Sequence, residues 1–217
     1  MRHSTILLGL AGLILTVASA QTPPSHHHGF AGADHWARIF DDPARDDWQR
    51  PHQVIEALHL APNAVVADIG AGTGYFTVRI ARMIPAGRVV AEDIEPDMIE
   101  HISERVKREN LPNVTPLLGK ADDAMLPAPV DLVLLVDTYH HISDREAYFR
   151  RLASHLKTQG EVAIIDFTTD SPIGPPPGER LATADVKQEM ARAGYALAAE
   201  HRFLPNQYFL IFRRSAP

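Results

Sequence analysis

Two groups of residues in this chain have the types and spacing that chemistry needs. The first is Val136-Asp137-Thr138-Tyr139-His140-His141-Ile142. An imidazole titrates near ambient pH, so His140 and His141 are candidate bases for an O–H or N–H group, with Asp137 or Tyr139 to orient a substrate. The alternative for either histidine is a helix-start or core residue with no chemistry. The second group is Asp68-Ile69-Gly70-Ala71-Gly72-Thr73-Gly74, an acid two residues before three alternating glycines. Such glycines let backbone N–H groups and a helix N-terminus approach an anionic or nucleotide-like ligand. A dinucleotide fingerprint, G-x-G-x-x-G, needs glycine at position 75, where Tyr75 stands, and this argues against a nicotinamide-dependent oxidoreductase. Nineteen residues after Gly74 comes Asp93, where an acid accepts hydrogen bonds from ribose hydroxyls. Its neighbour Glu92 should point to the opposite face, because strand side chains alternate. Asp122 and Asp123, shortly before Leu126-Pro127, form a third acidic position; their alternative is a solvated turn.

Ligands of open α/β sheets bind at the carboxyl ends of the strands, so these groups should sit on loops leaving strands. The hydrophobic pattern agrees. Strands are expected at 64–69, 88–94, 114–118, 131–136 and 161–167, the fourth a continuous apolar run suited to burial on both faces. Helices are expected after Pro51, after the glycines (Phe76, Ile80, Met83) and from Pro96 (Met98, Ile99, Ile102, Val106). Ser143 with Glu146 reads as a capping box opening a further helix, and a last one runs from Thr183 or Ala184 to Ala193, stopped by Gly194. The Pro/Gly-rich loop 171–178 is long for a compact domain and is expected near the substrate. Strands at 196–203 and 208–213 flank Pro205-Asn206 as a hairpin. The sum is a Rossmann-like α/β fold: a doubly wound, mostly parallel seven-stranded sheet with helices on both faces and a C-terminal antiparallel hairpin.

Ahead of this domain, assigned to residues 51–217, lie two other segments. Residues 1–20 have a short basic start, an apolar run from Ile6 to Val17 and Ala18-Ser19-Ala20, the pattern of a signal peptide cleaved after Ala20; the alternative is an uncleaved N-terminal membrane anchor. A periplasmic or secreted location follows, with no stable membrane span once the segment is removed. Residues 21–50 read as a His-rich arm and cap, with a short helix from about Asp34 to Phe40. His26, His27 and His28 raise a metal site shared with His140 and His141, but no ligand spacing such as H-x-x-x-H is present and no metal is expected. The net charge of −6, without a long basic block, argues against a nucleic-acid partner. The absence of cysteine removes disulfides, thiolate metal sites, a cysteine nucleophile and a lipid anchor on cysteine.

The D-x-G-x-G-x-G loop, the acid near Gly74+19, the Asp-Asp before Leu-Pro and the apolar fourth strand, in that order, resemble the motifs of the class I S-adenosylmethionine (SAM) dependent methyltransferases. The likeness covers residues 51–213, and its texture is similar to the methyltransferase 11/25 branch with its ubiquinone-biosynthesis and small-molecule enzymes. The resemblance implies SAM as cofactor and an antiparallel seventh strand inserted beside the fifth. It implies Gly70, Gly72 and Gly74 against the carboxylate end of SAM and Asp68 near its amino-acid moiety. Asp93 would meet the ribose, Ile94 the adenine face and Asp122, with Asp123 as rival, the adenine amino group. The loop 137–141 would face the transferring methyl, and the acceptor would be a small or lipid-like molecule methylated at O, N or C. Because SAM is made in the cytoplasm, export also raises a non-enzymatic nucleoside- or metabolite-binding protein that keeps the pocket.

Overall fold

The computed structural model describes residues 32–215. The signal-peptide expectation and the histidine arm with His26, His27 and His28 lie outside the described residues.

Seven strands form one sheet in the order β3-β2-β1-β4-β5-β7-β6. They are β1 (Val65–Ile69), β2 (Arg88–Asp93), β3 (Val114–Leu118), β4 (Val130–Val136), β5 (Leu156–Phe167), β6 (Tyr195–His201) and β7 (Gln207–Arg214). β1 to β5 are parallel, and β7 enters antiparallel between β5 and β6, as expected. The chain order reverses between β1 and β4, which opens a crevice at their carboxyl ends. β4 is buried nearly throughout because helices cover both faces. On one face α3 (Pro51–Ala57), α4 (Tyr75–Met83) and α5 (Pro96–Arg108) bury Val54, Phe76, Ile80 and Ile102. On the other α6 (Arg145–Leu152) and α7 (Thr183–Arg192) bury Phe149, Leu152, Val186 and Met190.

Three local expectations change. β5 begins five residues before Glu161, because a register shift between Val130 and Leu132 lets the chain pair through Gly160 instead of ending there. α6 is capped by Asp144, whose Oδ1 accepts from Ala147 N at 3.1 Å; the helix starts one residue later than a Ser143 capping box requires, and Glu146 pairs with Arg192 and Arg150 instead. The cap, expected over one edge of the domain, comprises α1 (Ala33–Phe40) and α2 (Arg45–Gln49), and α2 lies across the carboxyl ends of the strands. Arg45 and Gln49 bond to Asp137 and Gln207, Trp48 lies 5.7 Å from the ring of Phe167, and Asp46 accepts from the Tyr75 hydroxyl. The cap therefore touches the glycine loop, the β4 loop and the start of β7 together.

Candidate active site

The turn from β1 into α4 requires its glycines. Gly70, Gly72 and Gly74 have φ of 69°, 56° and 86°, a left-handed path that costs other residues energy. Space adds to the demand: a Cβ on Gly70 would stand 2.4 Å from Thr138 Oγ1, and one on Gly72 would stand 3.4 Å from the Phe40 ring. The loop amides already hold anionic oxygens. Gly72 N donates to Asp93 Oδ2 at 2.8 Å and Gly70 N to Glu92 Oε2 at 3.3 Å. Asp93 thus meets the glycine loop across the crevice, with its other oxygen accepting from Glu95 N. Glu92 does not simply turn away. It reaches the same loop and fills the space above Gly119, where a Cβ would meet its Oε1 at 1.6 Å. Burial pushes both carboxyls up, Glu92 strongly, because a charge in this crevice loses its hydration.

Asp68 lies beneath the loop, 3% exposed, and accepts from Thr77 Oγ1 at 2.6 Å. Burial lifts its pKa to about 6, against the pull of Thr77 and Arg45. Ile94 is 42% exposed beside Asp93, and Leu118 and Met125 at the ends of the neighbouring β3 loop are 50% and 45% exposed. These apolar side chains left at a crevice suit a flat heterocycle. Met98 is core. Asp122 and Asp123 part company. Asp122 points outward to Arg151 of α6, at 3.8 Å. Asp123 closes its own turn on Met125 N and stands near enough to Glu92 to raise its pKa. The structure therefore draws Asp123, and not Asp122, toward the crevice.

At the end of β4 the four candidates separate. Asp137 adopts φ of 56° and accepts from Gln207 Nε2 and, at 3.4 Å, from Arg45. Burial raises its pKa to about 7 although Arg45 opposes this. Tyr139 is fully buried, stacked on Phe149, and donates to Glu189 Oε2 at 2.8 Å; it belongs to the core under α6 and α7. His140 Nδ1 lies 2.8 Å from Asp166 Oδ2, and the His141 ring lies 4.0 Å from that of His140, tilted by 43°. Burial disfavours the imidazolium of His140, but Asp166 wins and its pKa lies above the ordinary value.

Gln49, Gln207 and Asp166, which sequence reading missed, complete this end together with Arg45, a candidate there for an anionic substrate. Arg45 donates to Gln49 and Phe40 O, Gln49 to Gln207, and Gln207 to Asp137, a closed ring of polar contacts. Its guanidinium also lies 4.2 Å over the Tyr75 ring, and that of Arg79 lies 3.9 Å from it. Asp166 had a signal, since it closes an apolar strand as Asp93 closes β2. Gln49 and Gln207 had none.

The architecture superposes on a SAM dependent methyltransferase from Aquifex aeolicus with a TM-score of 0.77, covering 83% of this chain and 97% of that one at 24% identity. Residues 66–160 match the family model described as Methyltransferase domain. The fold is the Rossmann-like one of such methyltransferases. The domain is 32% identical over 128 residues to an uncharacterized methyltransferase-like protein of Schizosaccharomyces pombe, covering 58% of this chain and 45% of that protein. It is 32% identical over 133 residues to malonyl-[acyl-carrier protein] O-methyltransferase of Acetivibrio thermocellus, covering 60% and 46%. The chain thus spans under half the length of either relative. The same fold occurs in the [4+2]-cyclase SpnF, with a TM-score of 0.65 at 14% identity and coverage of 78% and 81%, so the fold alone does not settle the reaction.

Proposed function

We propose that this protein is a SAM-dependent methyltransferase acting on a small or lipid-like acceptor. One observation carries the reading: three glycines at positive φ turn the chain at the β1/β4 crevice, with the Gly70 and Gly72 amides on the carboxyls of Glu92 and Asp93. A loop whose amides already take carboxylate oxygens fits the carboxylate of the SAM amino acid. Asp93 suits the ribose, and Ile94, Leu118 and Met125 suit the adenine. The buried hydroxyl of Thr73, inside the same loop and without a hydrogen-bond partner among the described residues, is a further polar group for a ligand to satisfy. SAM supplies a methyl already activated on a sulfonium. The chain's residues then have to align the acceptor, exclude water and take a proton. Asp137, Arg45 and Gln207 shape the mouth, and His140 is the candidate base.

Residues 1–20 are proposed to act as a signal peptide cleaved after Ala20, placing the enzyme in the periplasm or outside the cell; N-terminal sequencing of the mature protein tests this. Calorimetry with SAM and S-adenosylhomocysteine tests the pocket. The wild type should bind both, and Asp93→Ala and Gly72→Asp should lose binding. Absence of binding by the folded wild type overturns the reading.

A further inference from the structure

Asp166 has no assigned role, yet its surroundings are unusually committed. It is the penultimate residue of β5, 3% exposed. Its oxygens accept from His140 Nδ1 at 2.8 and 2.9 Å, from His140 N at 3.2 Å and from its own Phe167 N at 2.8 Å. The hydroxyl best placed to compete for it, that of Tyr208 on the paired position of β7, is buried and makes no hydrogen bond among the described residues. Asp166 therefore serves one imidazole, gripping both its backbone and its ring. A carboxylate only accepts, so Nδ1 carries the proton that faces it, and Nε2 of the neutral ring keeps its lone pair. Nε2 has no hydrogen-bond partner among the described residues.

The charges around this ring are mostly negative. Asp166, Asp137 and Glu179 all raise its pKa, and the His141 ring lies tilted beside it. The cations at this end are engaged. Arg45 is held by Gln49, Phe40 O and Asp137, and Arg145 by Glu189 at 2.6 and 2.9 Å. A carboxylate acceptor brought here would meet Asp166 and Glu179 and have no proton to surrender on methylation. A thioether would also leave the base idle.

Resting on the methyltransferase reading, we propose that Asp166 is the positioning residue of a His140 base, and that the acceptor is a neutral hydroxyl or amine that loses a proton, not a carboxylate or thioether. The acceptor oxygen or nitrogen forms the new bond to the methyl carbon while the carbon–sulfur bond breaks with its electron pair left on sulfur. The acceptor's proton passes to His140 Nε2, and Asp166 holds the resulting imidazolium.

The full chain tests this in three ways. NMR titration of the His140 ring without cofactor should show its pKa above the ordinary value in the wild type and lower in Asp166→Asn. Calorimetry on the same samples should show S-adenosylhomocysteine binding unchanged by Asp166→Asn. Methyl transfer from labelled SAM to a phenol, an amine and malonate should favour the phenol or the amine. His140→Gln should lower kcat by about 10²- to 10⁴-fold, the usual worth of a general base. The pH–rate profile of Asp166→Asn should move to lower pH, and Asp166→Glu should restore part of the rate. An unchanged His140 titration in Asp166→Asn, or malonate methylated in preference, overturns the proposal while leaving the pocket reading intact. Failure of S-adenosylhomocysteine to bind the wild type would instead remove the reading beneath it.

Discussion

Replacing Gly70 by alanine tests how the glycine loop and the β4 loop are joined. The new Cβ would meet Thr138 Oγ1 at 2.4 Å, Cγ2 at 2.5 Å and Cβ at 3.0 Å, and Thr138 is tied in place by its bond to Val136 O. Two costs follow. A left-handed alanine costs about 1–2 kcal/mol. Forcing a carbon into packed space costs a further ~1–3 kcal/mol. The sum for Gly70→Ala is about 2–5 kcal/mol. Thr138→Ala removes the two nearest atoms and leaves only the 3.0 Å contact, which a small shift can relieve. It loses one hydrogen bond itself, worth about 0.5–1.5 kcal/mol. In the Thr138→Ala background Gly70→Ala should therefore cost only the left-handed part, about 1–2 kcal/mol. Urea denaturation of the wild type, both single variants and the double variant gives the coupling energy directly. The expected value is about 1–3 kcal/mol in favour of the double variant. Equal costs of Gly70→Ala in both backgrounds would refute the contact as the source of the demand for glycine.

Other expectations follow from the polar residues. Folded Asp137 keeps its proton up to about pH 7, while the unfolded chain releases it near the ordinary carboxyl value of about 4, so its contribution falls as pH rises between the two. Asp137→Asn, neutral and tolerant of positive φ, should gain on the wild type across that window and hold a constant difference above it; a pH-independent difference in melting curves would sink the argument. Glu189 has the opposite sign: although burial opposes it, Arg145 and Tyr139 hold its pKa low, so its stabilisation is present above the ordinary value and lost as pH falls through the folded one. Glu189→Ala leaves the Tyr139 hydroxyl buried without a partner and should cost about 1–3 kcal/mol by denaturant titration at pH 7, shrinking in acid. Arg45→Ala opens the ring that ties α2 to Asp137, and limited proteolysis between residues 41 and 50 should quicken; unchanged cleavage would mean the ring does not hold the cap.

The parts that could be read from the sequence were those encoded locally. Gly70 to Gly74 and Asp93 are linked by one β-turn-helix-strand unit, so spacing alone placed them together. The strand and helix order followed from apolar runs and from Pro and Gly, and the inserted β7 followed from family resemblance. What escaped rests on distant partners. Arg45 and Asp137 are 92 residues apart, and Gln49 and Gln207 are 158 apart, so no periodicity marks the cap's position over the strand ends. Tyr139 stood beside two candidate bases in sequence, but the single turn of 3-10 helix at Tyr139–His141 sends its ring into the core while His140 turns to Asp166. Glu92 shows the limit of strand alternation: at the penultimate position of a strand a long side chain can bend back to the loop.

The antiparallel entry of β7 has a consequence for how the chain can vary. Because β7 runs against its neighbours, its first residue arrives where the parallel strands finish, and seven paired positions from Glu161↔Arg213 to Phe167↔Gln207 set which side chain lands there. Gln207 presents an amide to Asp137, whereas the next residue, Tyr208, faces the opposite layer with a phenol. A deletion of one residue in the short 202–206 connection that slipped this pairing by one step would exchange them. An amide would enter the apolar layer and a bulky ring would meet Asp137. Length in that connection is thus as much a part of the site as any of its side chains, and substitutions there should be tolerated far better than insertions or deletions.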